Sequence, residues 1–274
     1  MLNNLKFVKK SFSAAVPHYD NFALLQQITS DLLISLIPIE VVNDRLICAD
    51  LGAGTGYTSE KLSKLKIKNL TMIDLSQKML SQCKNKFENQ FLYLNADVNQ
   101  LGIKDNTFDL ICSNLMIQWS DNLDKTLSEI NRVLKEQGTF FFSTLLPGSL
   151  IELDKSWKSV EQGDHINQFL PFDNLKKSIL ENNFQIQSLT KKEIKLEFNN
   201  PLEAMKSLKY VGANFVKNRQ NKGLCTANKL TKMFDFYSRN FKKDNMVELS
   251  YQVCFGHVVK NSLNSSSELI GQIN

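Results

Sequence analysis

The chain has 274 residues, 42% hydrophobic and 22% charged, with a formal net charge of +5 from 33 basic and 28 acidic side chains; that is the balance of a soluble globular enzyme with one substantial core and room for a subdomain. Five dispersed cysteines (Cys48, Cys83, Cys112, Cys225, Cys254) without a C-x-x-C pair, and three dispersed histidines (His18, His165, His257), argue against a structural metal and for a reducing compartment. The most apolar run, Leu32 to Ile39, is too short to cross a bilayer, and Met1 to Lys10 has no apolar core after its lysines, so a cytoplasmic protein without membrane contact is expected.

An amphipathic stretch from about Ala14 to Leu36, interrupted by Pro17, precedes the core. From about Leu46 to Leu145 strand and helix signals alternate, as in a doubly wound sheet. The first strand, Leu46-Ile47-Cys48, runs into Ala49-Asp50-Leu51-Gly52-Ala53-Gly54-Thr55-Gly56, and a helix follows from about Tyr57 to Leu65. Glycines at alternate positions allow a tight turn and close approach of a ligand to the main chain, while the N–H groups of the following helix point at the same place. A dinucleotide fingerprint needs a glycine where Tyr57 stands. Asp50 would also repel a phosphate, yet would tolerate a cationic amino-acid end. A glycine turn without a ligand is the alternative.

The second strand, about Asn69 to Ile73, ends in Asp74 and Leu75. An acid there can accept both ribose hydroxyls, in either class of nucleotide cofactor. Asp74 or Ser76 can equally cap the helix Gln77–Lys86, and both roles are compatible if Ser76 is the cap. The third strand, about Phe91 to Leu94, leads to Asp97 and Val98. The fourth, Phe108 to Ser113, ends in Asn114-Leu115-Met116-Ile117-Gln118-Trp119. Ligands of open α/β sheets bind at such carboxyl ends. A helix spans Asp121–Leu134, where Lys135-Glu136-Gln137-Gly138 breaks it, and Thr139 to Leu145 forms the fifth strand. Arg132 reads as structural.

An insertion runs from Pro147-Gly148 to about Pro171 and carries His165, a substrate ligand or a plain loop residue. A helix from about Asp173 to Glu181, two strand-like runs (Phe184–Leu189 and Lys191–Phe198) and two helices (Leu202–Val211 and Ala227–Phe241) follow. A final strand alternates Val247, Leu249, Tyr251, Val253 and Phe255 with more polar residues, and the Ser- and Asn-rich tail 261–274 is expected to fray. Between Pro201 and Lys243 ten basic residues face only Glu203 and Asp235, which leaves that segment at +8 and the remainder at −3. Such a stretch steers an acidic partner or forms a solvated lysine face. It lacks the aromatic interleaving of an RNA-binding motif, so no nucleic-acid partner is expected.

The run Asp50-Leu51-Gly52-x-Gly54-x-Gly56, with Asp74 and Asp97-Val98 at the next strand ends, resembles the class I S-adenosylmethionine-dependent methyltransferases. That resemblance implies a Rossmann-like α/β fold: a mostly parallel seven-stranded sheet with an antiparallel last strand, helices on both faces and a helical insertion before that strand. It places Gly52, Gly54 and Gly56 at the methionine end of the cofactor, Asp74 on the ribose, and Asp97 with Val98 on the adenine. The flanks narrow it further. Phe12-Ser13-Ala14-Ala15-Val16-Pro17-His18-Tyr19-Asp20 with Leu25-Gln26, Ser113 to Trp119, Phe142-Ser143-Thr144-Leu145, His165-Ile166-Asn167-Gln168-Phe169-Leu170 and Met205-Lys206-Ser207-Leu208-Lys209 with Gly212-Ala213-Asn214 resemble the malonyl-acyl-carrier-protein O-methyltransferases of biotin synthesis. The chain departs from the family at Ala53, where Cys is frequent, and around Lys135–Gly138, which lacks the usual Pro-Gly.

The resemblance implies methyl transfer from S-adenosylmethionine to the free carboxylate of malonyl-phosphopantetheine on an acyl-carrier protein, releasing S-adenosylhomocysteine, by an enzyme expected to act as a monomer. It implies a helical entry segment over residues 1–45 and a cofactor-binding domain over 46–260, with insertions at 147–171 and 201–243 for substrate and partner. Tyr19 and Gln26 are candidates to close over the cofactor, and Asn114 and Gln118 to line the transfer site. Lys209, then Arg219, are candidates to hold the malonyl carboxylate. Tyr19 as a packed aromatic and Trp119 as a core anchor remain open alternatives. So do three other functions: methylation of another small metabolite, NAD-dependent oxidoreduction, and binding of the cofactor without turnover.

Overall fold

The computed structural model describes residues 2–88, 90–216 and 226–262. The chain divides into two compact units: one of Met1–Leu25, Leu145–Pro171 and Lys191–Val253, the other of Gln26–Thr144, Phe172–Thr190 and Cys254–Asn274.

The second unit carries the parallel part of the sheet. Its elements begin with α3 (Leu24–Ile34), after α1 (Leu2–Ala15) and α2 (Tyr19–Phe22) of the first unit. Then come β1 (Ile47–Leu51), α4 (Tyr57–Lys64), β2 (Asn69–Asp74), α5 (Gln77–Phe87), β3 (Leu92–Asn95), β4 (Phe108–Asn114), α6 (Leu123–Val133) and β5 (Leu134–Leu145). After α7 (Ile151–Lys158) in the first unit, α8 (Phe172–Glu181) returns to the second. Strand β6 (Phe184–Phe198) runs through both units, as does the last strand, β8 (Met246–Lys260). The first unit also holds α9 (Pro201–Tyr210), α10 (Ala227–Phe241) and β7 (Lys242–Lys243).

The sheet order is β3-β2-β1-β4-β5-β8-β6. The pairs β2–β3, β1–β2, β1–β4 and β4–β5 are parallel, and the end strands are antiparallel, as expected. Strand order reverses between β1 and β4, the switch point at which open α/β sheets bind ligands. Central strands bury Cys48, Ala49, Ile111, Cys112, Phe140 and Phe142 completely, so burial on both faces accounts for their continuous apolar runs. Arg132 is structural, as expected: it bonds Glu129 and the Ile103 carbonyl.

Four elements differ from expectation. The N-terminal helix begins at Leu2, well before the predicted stretch, and Pro17 separates it from α2. Lys135–Gly138 does not break the chain between helix and strand. Phe108 pairs with Leu134 and Leu110 with Thr139, so β5 absorbs the extra residues as a bulge, with Gln137 left-handed at φ 61°. The two runs at 184–198 form one strand, which ends the sheet order. Lys191, Lys192 and Glu193 are exposed on it, and charge on an edge strand discourages pairing with other chains. The short strand β7 was not foreseen. Asp244 (φ 47°) and Asn245 (φ 68°) form a two-residue left-handed turn, pairing Lys243 with Met246.

Candidate active site

Every cofactor residue expected from the sequence, from Gln26 to Asn114, belongs to the second unit. The glycine turn leaves β1 with Gly52, Gly54 and Gly56 all left-handed, at φ 74°, 56° and 89°. Two of these glycines are required by the protein itself. A Cβ on Gly52 would lie 2.5 Å from Met116 Cγ, and one on Gly56 would lie 2.6 Å from Phe87 Cε2. Gly52 N–H and Ala53 N–H both bond the Ile73 carbonyl, at 2.8 and 3.1 Å, which ties the turn to the end of β2.

Asp74 clamps the same turn. Its Oδ2 accepts Gly54 N–H at 2.9 Å and its Oδ1 accepts Ser76 N–H at 2.7 Å. A carboxylate has about four acceptor positions, so capacity is left for a pair of hydroxyls. Burial raises its pKa, against those two bonds. Ser76 caps α5 through Met79 N–H, so the cap falls to Ser76 as expected. Asn95, which the sequence did not single out, donates to the carbonyls of Asp74 and Leu75 at 2.8 and 2.9 Å and fixes that bend.

Asp50 is 1% exposed, and its Oδ2 accepts the Ser59 hydroxyl at 2.6 Å. Its Oδ1 is buried without a partner. Desolvation pushes its pKa up to about 7, the Ser59 bond opposing and the Asp74 charge adding. A buried, half-satisfied carboxylate calls for a cation or donor. Asp97 closes a short turn: its Oδ1 accepts both N–H groups that Asn99 offers, each at 2.9 Å. Among the described residues its Oδ2 has no partner. Three successive strand ends thus present carboxylate oxygens around one glycine turn, with Leu75 and Val98 partly exposed beside them. This donor set fits S-adenosylmethionine: a carboxylate for an ammonium, one for ribose hydroxyls and one for an amino group.

The segment after β4 is held tightly. Asn114 Nδ2 donates to the Gln26 carbonyl at 2.8 Å, and its Oδ1 accepts the Ser143 hydroxyl at 2.6 Å, so both ends of the amide are engaged within the protein. Leu115 is left-handed at φ 50°, a conformation that costs a non-glycine residue roughly 1–2 kcal/mol. Gln118 and Trp119 lie on a 3₁₀ turn, Ile117–Trp119. Gln118 donates to the Leu115 carbonyl at 2.8 Å and accepts from Thr144 at 3.2 Å. Trp119 is partly buried.

Tyr19, the candidate to close over the cofactor, and the substrate candidates His165 and Lys209 belong to the first unit, and Arg219 lies outside the described residues. Tyr19 opens α2, which packs on α9, where Tyr210 meets His18 and Phe22 at ring separations of 5.0 and 4.5 Å. Lys209 is exposed and has no ionic partner among the described residues. The His165 side chain is 4% exposed. Its ring stacks on Trp157 at 4.5 Å, with Nε2 3.2 Å from Glu161 Oε1, while Glu161 also pairs with Lys229. His165 therefore packs within the insertion, and Glu161 ties the insertion to α10. Asn167 donates to the Phe215 carbonyl at 2.7 Å, Phe215 stacks on Phe7, and Gly212 (φ 76°) admits Phe12 where a Cβ would meet its Cα at 2.9 Å. The sequence blocks around Phe12, His165 and Gly212, far apart in the chain, pack together.

Comparison with known proteins agrees with this arrangement. A methyltransferase-domain family matches residues 49–142. The malonyl-[acyl-carrier protein] O-methyltransferase of Buchnera aphidicola subsp. Baizongia pistaciae is 34% identical over 92% of this chain and 97% of its own. That of Pectobacterium atrosepticum is 30% identical over 94% and 98%. The solved structure of Haemonchus contortus phosphoethanolamine N-methyltransferase 2, with phosphomonomethylethanolamine and S-adenosylhomocysteine, matches at a TM-score of 0.59 and 16% identity, over 96% of this chain and 61% of that one. A likeness that distant speaks for the fold alone. The similarity to the first relative, spread over nearly the full length of both chains, is of another order, and by it this chain belongs to the malonyl-[acyl-carrier protein] O-methyltransferase family.

Proposed function

We propose that the protein methylates the free carboxylate of a malonyl group carried as a thioester on acyl-carrier protein. The product is the malonyl methyl ester that starts pimeloyl synthesis for biotin. The observation that carries this reading is the 34% identity to a malonyl-[acyl-carrier protein] O-methyltransferase along 92% of the chain. S-adenosylmethionine, when bound, supplies an electrophilic methyl group on a sulfonium.

Asp50 holds the ammonium of the cofactor's amino-acid end, Asp74 its ribose, and Asp97 with Val98 its adenine. The malonyl carboxylate is ionised at neutral pH, its pKa being roughly 3–4 like a model carboxyl. Its oxygen would accept the methyl group that the bound cofactor supplies. No proton moves, and the chain needs no general base. The protein's work is to align the three atoms and exclude water. Gln118 and Trp119 line the acceptor side, Tyr19 and Gln26 cover the cofactor, and Lys209 with Arg219 receives the malonyl charge.

The carrier protein is the proposed macromolecular partner, and the first unit is its docking surface. That unit has eighteen basic against eleven acidic side chains, +7, while the second has fifteen against seventeen, −2. Lys206, Lys209, Lys232, Arg239, Lys242 and Lys243 are exposed there without ionic partners among the described residues. The test compares malonyl-carrier protein with malonyl-CoA across a salt series. A rate that falls with salt for the carrier substrate alone supports docking. An equal fall for both removes it.

A further inference from the structure

Ser143 lies on β5 opposite Asn114 of β4 and is fully buried. Its hydroxyl oxygen accepts Leu115 N–H at 3.0 Å, and its carbonyl accepts the same N–H at 3.1 Å. With its oxygen so occupied, the hydroxyl has one proton to give, and Asn114 Oδ1 receives it at 2.6 Å. That contact holds the Asn114 amide from one side, and the Gln26 carbonyl, which can only accept, holds it from the other. With Oδ1 turned to Ser143, Nδ2 meets the Gln26 carbonyl at 2.8 Å. A flipped amide would set oxygen against that carbonyl, a repulsive contact, and would turn the Ser143 hydroxyl from donor to acceptor.

The chain of bonds thus runs from β5 through β4 to the first turn of α3. It also bears on the glycine turn. The N–H that Ser143 receives is that of left-handed Leu115, whose neighbour Met116 fills the space that a Gly52 side chain would need, 2.5 Å from the Cβ position. Removal of the Ser143 hydroxyl leaves Asn114 held through the Gln26 carbonyl alone and Leu115 N–H through the Ser143 carbonyl alone, and Gln26 and Asn114 are proposed for the cofactor.

We infer that Ser143 is a positioning residue for methyl transfer: it sets the Asn114 amide and the Leu115 turn, and through them the seat of the cofactor against Gly52. It touches no reacting atom. The inference rests on the proposed cofactor site, so its primary readout is S-adenosylhomocysteine affinity by calorimetry, which needs no acceptor substrate. Ser143→Ala is expected to weaken that affinity about tenfold, the effect of one lost buried hydrogen bond. Ser143→Cys, which keeps a weak donor, is expected to fall between the two. Ser143→Ala placed on Asn114→Ala is expected to add less than Ser143→Ala alone costs, because the Asn114 amide is one of the two groups through which Ser143 acts.

The inference is overturned if Ser143→Ala binds as wild type does while melting at a lower temperature, or if its effect multiplies that of Asn114→Ala. Where Ser143→Ala does not fold, Ser143→Cys carries the same comparison. Wild-type protein that binds the cofactor product but transfers no methyl to malonyl thioester would defeat the proposed function and leave this test standing.

Discussion

Asp50→Asn separates the stability of the unliganded protein from its affinity for cofactor. Asp50 is buried with Oδ1 unpartnered, and desolvation raises its pKa from 3.8 to about 7. The folded value lies above the unfolded one, so its contribution is fullest below about pH 4 and is lost as pH rises to about 7. Three pKa units at about 1.4 kcal/mol each give about 4 kcal/mol over that window, of which about 3 kcal/mol falls between pH 5 and pH 8. Asn keeps an acceptor for the Ser59 hydroxyl and does not titrate. Any fixed effect of the new amide cancels when two pH values are compared.

The assay is urea unfolding of both unliganded proteins at pH 5 and pH 8. Relative to wild type, Asp50→Asn is expected to gain about 3 kcal/mol at pH 8 over its difference at pH 5. In the same variant, cofactor affinity should fall and lose its rise between pH 6 and pH 7.5, the range in which Asp50 ionises to meet an ammonium. A stability difference that does not change with pH would mean that the carboxylate is already ionised at pH 5. The desolvation argument would then fail.

Gly56→Ala places a Cβ 2.6 Å from Phe87 Cε2 at φ 89°; it is expected to cost about 2–4 kcal/mol in chemical denaturation, from left-handed strain and overpacking together. Ser76→Ala removes the cap of α5 and should cost about 1 kcal/mol. It should leave cofactor affinity unchanged, because Asp74 accepts Ser76 through the backbone. Lys232→Glu with Arg239→Glu is expected to raise KM for malonyl-carrier protein and leave malonyl-CoA unaffected, as seen in initial rates at low salt.

The glycine turn and the acids around it were legible because their arrangement is local. Strand ends, glycines and acids follow one another at short spacing, and the Asp74–Ser76 pair is solved within three residues. What was not legible depends on residues distant in sequence. Ser59 and Asp50 meet across the glycine turn, and nothing in their types announces that Asp50 keeps one oxygen bare. The left-handed Leu115 has no glycine to mark it, since Ser143, on another strand, holds it there. Lys135–Gly138 reads as a break by composition, yet the ladder with β4 carries it as a bulge. The charged run at 191–193 suggested a gap between strands, whereas a sheet edge accepts such residues. His165 read as a substrate ligand or a plain loop residue, and its stack on Trp157 could not be read from the sequence.

The central claim is tested most directly by following labelled methyl transfer from S-adenosylmethionine to malonyl-, succinyl- and acetyl-carrier protein with the purified enzyme. A labelled methyl ester on the carrier-bound malonyl group, which base releases as methanol, none from the acetyl form, which has no free carboxylate, and little from the longer succinyl form is the predicted result. No transfer to the malonyl form, with transfer to an unrelated acceptor, would contradict it.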